Sequence, residues 1–193
     1  MKSTNENKIV IILFCILLSI FLLLLSYKIV LLFTHTTLAQ ENVFRFLAGK
    51  EQLSARFAEL EVSHLEDVAR VMKYVNYVFY FLLLAVTLSI TYYRKDKKFL
   101  AKLFEYGGKV TILSMLIISG LSALFFEKAF TLFHALFFPQ GNWQFAADSK
   151  IIQTFPFDFF MSISRNIFLL SLFLGIVFIL LGLYFKYVHG NRN

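Results

Sequence analysis

Ile9 to Tyr27 reads IVIILFCILLSIFLLLLSY, a run with no charged residue in it. A helix needs about 20 apolar residues to cross a hydrocarbon core about 30 Å thick. A lone strand there would leave its backbone groups unpaired in lipid, so the run predicts a transmembrane helix. Cys15, the one cysteine, lies inside it. It has no partner for an internal disulfide and no His or Cys at zinc spacing, so it reads as a small buried hydrophobe. Met1 to Lys8 followed by this run looks superficially like a signal peptide. The run is too long, however, and Phe14 is not the small residue a lipoprotein processing site needs before its cysteine, so the expectation is a membrane anchor.

Three further runs of the same kind follow, and together the four predict spans at about 9–27, 74–93, 110–126 and 167–185. Hydrophobic residues make up 59% of the chain, with 25 Phe, and charged residues 16%. A soluble domain of this length has no interior for that many apolar side chains, so lipid must solvate much of the chain. The expected fold is an all-α membrane protein in which residues 1–193 form a single integral membrane domain. Its expected connections are outer loops at 28–73 and 127–166 and an inner loop at 94–109.

The net charge of +7 does not point to nucleic acid, because the basic residues cluster beside a span. Arg94, Lys95, Lys97, Lys98, Lys102 and Lys109 crowd the short inner segment, whereas acidic residues balance the basic ones in the two longer loops. Dense positive charge in a short loop marks the cytoplasmic side. Both termini are then expected in the cytoplasm and the two long loops outside it. Small residues at helical spacing, Ser119 with Ala123 and Ser171 with Gly175, followed by Gly182, predict close packing of the last two spans.

The outer loops carry structure of their own. Ser63-His64-Leu65-Glu66 has the form of a capping box, with Ser63 as N-cap and Glu66 as its reciprocal partner. Leu65, Val68, Val71, Met72 and Val75 then keep a helical period into the second span. The second loop is rich in Phe and holds Trp143; such side chains favour the lipid–water boundary or a closed apolar pocket. A small helical cap on the extracytoplasmic side is expected.

Of four histidines, His35 and His189 read as interfacial or solvated. His64 and His134 sit in the two outer loops. Asp67 lies one helical turn after His64 and is positioned to accept a hydrogen bond from its ring, fixing the tautomer. Glu61, one turn before, has the same reach or else decorates a solvated face. His134 lies in a nearly continuous apolar run, where desolvation keeps an imidazole neutral. The bland reading of His134, a buried ring donating to a backbone carbonyl, stays open from the residues alone. No nucleophile elbow, phosphate loop or dinucleotide fingerprint occurs. The spans hold almost no ionisable groups, which disfavours transport.

Glu61-Val62-Ser63-His64-Leu65-Glu66-Asp67-Val68, taken with Phe133-His134-Ala135-Leu136-Phe137-Phe138, Asn142-Trp143-Gln144-Phe145, Ile151-Ile152, Phe155-Pro156 and Phe159-Phe160, resembles the motifs of the bacterial lipoprotein intramolecular transacylase family. Ala69 stands where that family's motif leads one to expect a basic residue, with Arg70 next to it. The resemblance implies four transmembrane helices under an extracytoplasmic cap, in a bacterial cell membrane. It implies an acyltransferase that moves the sn-2 acyl chain of a diacylglyceryl lipoprotein to its N-terminal cysteine amine, giving the lyso-form. The implied catalytic residues are His64 and His134, supported by Asp67 and Glu61. Phe133, Phe137, Phe138, Asn142, Trp143 and Phe155 are the expected substrate pocket, and Asn142, Trp143 or a backbone amide is the expected oxyanion donor. No metal or cofactor is expected, and the expected partners are the lipoprotein substrate and membrane lipids. Competing readings are a related acyl-transfer or hydrolytic enzyme, a non-catalytic module that binds lipid or lipoprotein, and a haem protein ligated by the two histidines.

Overall fold

A computed structural model describes residues 4–54 and 56–190. The described residues form helices and no strand: α1 (Thr4–Phe33), α2 (Leu38–Leu47), α3 (Glu59–Tyr93), α4 (Lys97–Leu124), α5 (Phe126–Phe137), α6 (Lys150–Thr154) and α7 (Phe157–Gly190). Four of them, α1, α3, α4 and α7, are long and apolar enough to cross a membrane. The protein is an all-α, multi-pass membrane protein.

The helices run well past the apolar stretches that announced them. Most of the basic segment 94–109 is the first part of α4, which leaves Arg94–Asp96 as the turn after α3. Asp96 starts α4, its carboxylate accepting from the Phe99 amide at 2.9 Å. An acceptor at that position satisfies an otherwise orphaned N–H of the first turn. Phe99, Leu100, Leu103 and Phe104 recur on one face and are buried. Lys98 and Lys102, beside and between them, are exposed, so the charge of this stretch hid its amphipathic helix.

Two compact units partition the chain. The first takes residues up to Val30, Val78–Gly120, and residues from Asn166 on. Its core packs Phe14, Leu18, Leu22, Phe79, Leu82, Leu103 and Phe104. Lipid is as apolar as such a core, so close van der Waals packing must hold the helices together. Gly108 and Gly175 touch: a Cβ built on Gly108 would stand 2.5 Å from the Gly175 carbonyl oxygen. A Cβ on Gly182 would stand 2.7 Å from the Glu105 backbone nitrogen. Ser171 is fully buried. The hydroxyls of Ser19 and Thr111 meet at 3.1 Å. The expected seam on α7 is thus present, whereas Ala123 on α4 is exposed and Ser119 turns back to its own helix at the Leu116 carbonyl. Its counterpart on α4 is Gly108 with Thr111, while Gly107 faces Leu18 and Phe14 of α1.

The second unit takes Leu31–Tyr77 and Leu121–Arg165, so it holds α2, α5, α6 and the first turns of α3 and α7. Its apolar core is small: Val43, Leu65, Ile151 and Phe155, with Phe44, Phe46 and Phe159 against them. Polar side chains clamp the helix ends. Thr37 and Gln40 form a reciprocal capping box at the start of α2, and the Gln40 amide also donates to the Thr154 carbonyl at the end of α6 at 2.9 Å. Glu61 bridges two helix starts: one carboxylate oxygen accepts from the Ala58 amide at 2.7 Å, the other from Ile151 at 2.9 Å.

Ser63 is not a helix cap, contrary to expectation. Glu61 reaching back to Ala58 starts α3 earlier, at Glu59, which leaves Ser63 inside the helix. Glu61 neither orients His64 nor decorates a solvated face. It is buried, and both its oxygens are spent on backbone amides.

Candidate functional site

His64 lies on the second turn of α3 and His134 near the end of α5. Both belong to the second unit, and their ring centroids stand 6.4 Å apart with the planes inclined by 24°. Phe138 touches both, at 4.7 Å from His64 and 5.7 Å from His134. Phe145 adds a wall at 5.5 Å from His64. On the other side Phe130 at 4.0 Å, Trp143 at 4.9 Å and Phe133 at 5.4 Å surround His134. The result is an aromatic enclosure shared by two imidazoles that lie 70 positions apart in the chain.

Helical spacing builds the half around His134. Phe130, Phe133, His134 and Phe137 recur at three and four residues along α5, so they share one face. The Nδ1 atom of His134 donates to the Phe130 carbonyl one turn back at 2.8 Å. That bond puts the proton on Nδ1 and leaves the Nε2 lone pair free. Burial lowers the His134 pKa below the ordinary imidazole value, and the bond to Phe130 partly offsets the shift. Burial therefore favours the neutral ring, whose lone pair is on Nε2.

A turn builds the half around His64. The Gly141 amide donates to the Phe138 carbonyl at 3.1 Å, and Gly141 has φ of 79°. Pro139 presets the turn and glycine takes a left-handed conformation that other residues adopt at a cost. This reversal carries Phe138 to the rings and Gln140 and Asn142 to Asp67. Asn142 donates to Asp67 at 2.8 Å and to the Ser63 hydroxyl at 3.2 Å. Gln140 also donates to Asp67, and Arg70 pairs with its other oxygen at 2.8 Å.

Several expectations change. Asp67 does not accept from His64; its oxygens are held by Asn142, Gln140 and Arg70. Both N–H groups of Asn142 are spent, so its amide is not free to donate to an oxyanion. Phe155 lies buried in the core with Phe44 and Phe159. Phe137 packs on Phe133 with the rings tilted and is exposed. His35 is exposed. His189 lies in the first unit against Phe185. Phe130 and Gln140 complete the site without having been singled out, and Phe145, noted only within the motif, joins them. The turn signal at Pro139-Gln140-Gly141 pointed to Gln140, and the period of α5 to Phe130.

The family model described as lipoprotein intramolecular transacylase Lit matches residues 7–160. The chain belongs to that family. The transacylase Lit of Bacillus cereus, described as membrane integral, superposes with a TM-score of 0.80 at 20% identity, covering 96% of this chain and 98% of that one. A form of the same protein with a histidine-to-arginine substitution superposes with a TM-score of 0.79 at 19% identity, over 98% and 96% of the two chains. At that identity the likeness establishes the shared transacylase fold. An uncharacterised protein of Aquifex aeolicus is 28% identical over 130 residues, which is 66% of this chain. The match spans 56% of that relative's length.

Proposed function

We propose that this protein is a lipoprotein intramolecular transacylase. It would move the sn-2 acyl chain of a diacylglyceryl lipoprotein to the amine of the N-terminal cysteine. The observation that supports this reading most is the pairing of His64 and His134 in one aromatic enclosure. Membership of the family supplies the reaction class.

The reaction forms an amide and breaks an ester in one molecule. From the amine through the cysteine carbons, sulfur, two glycerol carbons and the ester oxygen to the carbonyl, the ring to be closed has eight members. Rings of that size close poorly in solution, so the protein must fold the substrate. Well-oriented intramolecular groups reach effective molarities of about 10⁵ M or more. The aromatic walls at Phe130, Phe133, Phe138, Phe145 and Trp143 suit the acyl chains and exclude water.

The two imidazoles balance the protons. The cysteine amine arrives as an ammonium, and His64 takes its first proton. The free amine attacks the ester carbonyl while the Nε2 lone pair of His134 takes the second proton. When the tetrahedral intermediate collapses, the carbon–oxygen bond breaks and His64 returns its proton to the glycerol oxygen. His134 releases its proton to solvent. Each general acid or base step contributes roughly 10²–10⁴-fold. The enclosure belongs to the extracytoplasmic side, with both termini in the cytoplasm, on the argument from the basic residues of 94–109.

Mass spectrometry of a lipoprotein N-terminal peptide, in a strain with and without this protein, tests the reading. An N-acylated cysteine bearing a monoacylated glyceryl group is expected when the protein is present. An N-terminus that stays diacylglyceryl with a free amine would refute it.

A further inference from the structure

His64 and Asn142 are both more than nine-tenths buried, at 8% and 6% exposure. Each has one sealed polar atom with no hydrogen-bond partner in the protein: Nδ1 of His64 and Oδ1 of Asn142. These are complementary orphans, a ring nitrogen able to carry a proton and a carbonyl oxygen able to accept one. Through its bond to Ser63, the residue before His64, the Asn142 amide is anchored to the same turn of α3 as the ring.

The orientation of that amide is determined. Its nitrogen donates to Asp67 and to Ser63. Rotating it by half a turn would set its oxygen against the Asp67 carboxylate and lose both bonds. Asp67 is itself held by Arg70 and Gln140. We infer that Asp67 and Asn142 form a relay that keeps a proton on Nδ1 of His64, so that Nε2 is the nitrogen that meets substrate. The carboxylate sets the amide, and the amide sets the imidazole. Asn142 is thus a positioning residue. This role rests on the acyl-transfer reading in one respect: it leaves Nε2 of His64 free to take the ammonium proton and return it to the glycerol oxygen. His134 has the same arrangement through a simpler device, the Phe130 carbonyl.

Nitrogen-15 NMR of the full chain in lipid nanodiscs, with labelled histidine, reads the tautomer of each ring. His64 is expected as the Nδ1–H form in the unaltered protein. Asn142→Leu should move it toward the Nε2–H form and lower kcat roughly 10²-fold with KM little changed, as for a base held in the wrong tautomer. Asp67→Asn, a milder change that frees the amide to rotate, should give a mixture of tautomers and a loss of roughly tenfold. His134 should keep its Nδ1–H form in both, reporting that the site is folded. An Nε2–H form of His64 in the unaltered protein would overturn the relay without any variant. So would slowed variants whose His64 tautomer is unchanged. If the tautomer follows Asn142 and Asp67 but no lyso-form product is ever made, the relay stands and the acyl-transfer reading falls.

Discussion

Gly108 and Glu61 hold helices together by opposite means. In the first unit α4 meets α7 where side chains are missing, and the backbones come so close that a methyl group on Gly108 would collide with the Gly175 carbonyl. In the second unit a buried carboxylate ties the start of α3 to the start of α6. The first solution suits helices for which lipid offers as good an apolar environment as protein, so that fit alone distinguishes the packed state. The second suits short helices, whose ends leave many backbone groups to be satisfied for each apolar side chain they bury. A unit organised by hydrogen bonds also places donors and acceptors precisely enough to orient a reacting group. The proposed chemistry draws on the second unit.

That contrast is breakable. Gly108→Val should cost about 3 kcal/mol, since the clash is with backbone and the helix must move. Gly120→Ala, at a position with open space around it, should change stability by less than about 0.5 kcal/mol. Thermal unfolding in detergent measures both, and equal effects would show that fit does not hold the first unit. In the second unit, Glu61→Ala leaves the Ile151 amide buried without an acceptor and should cost about 2 kcal/mol. Glu61→Gln, which keeps one acceptor oxygen, should cost about half of that. Indifference to both would mean that the small apolar core suffices.

The smallest effect concerns pH. His134 must be neutral to accept a proton, and burial lowers its pKa. Activity should therefore persist below the ordinary imidazole range and fall as pH drops through the lowered pKa. Trp143→Ala opens the enclosure to water, weakens the desolvation, and should move the acidic limb of kcat/KM to higher pH. An unmoved limb would assign it to another group.

Legibility in the sequence differed between the same two regions. The spans could be read because about 20 apolar residues in a row match the thickness of a hydrocarbon core. The α7 seam was legible from Ser171, Gly175 and Gly182, since small residues at helical spacing have a direct steric meaning. Its partner on α4 was hidden among lysines. In the second unit, two segments fit the capping-box pattern equally well, Thr37 to Gln40 and Ser63 to Glu66. Which one caps depends on where each helix begins, and Glu61 settled that through contacts with Ala58 and Ile151, the latter 90 positions away. Histidines in two loops could be named, but local spacing gave Asp67 to His64. Besides Arg70 one turn on, the partners of Asp67 are Gln140 and Asn142, brought in by a turn 73 and 75 positions on. Local periodicity carries no information about such pairs.

The most direct measurement is mass spectrometry of a lipoprotein N-terminus made in a strain whose only transacylase is this protein, as His64→Ala and, separately, as His134→Ala. Two imidazoles in one enclosure, each handling a proton, predict that either change reduces the lyso-form product by at least roughly 10²-fold, with the protein still present and folded in the membrane. Undiminished lyso-form product from either variant would contradict the account.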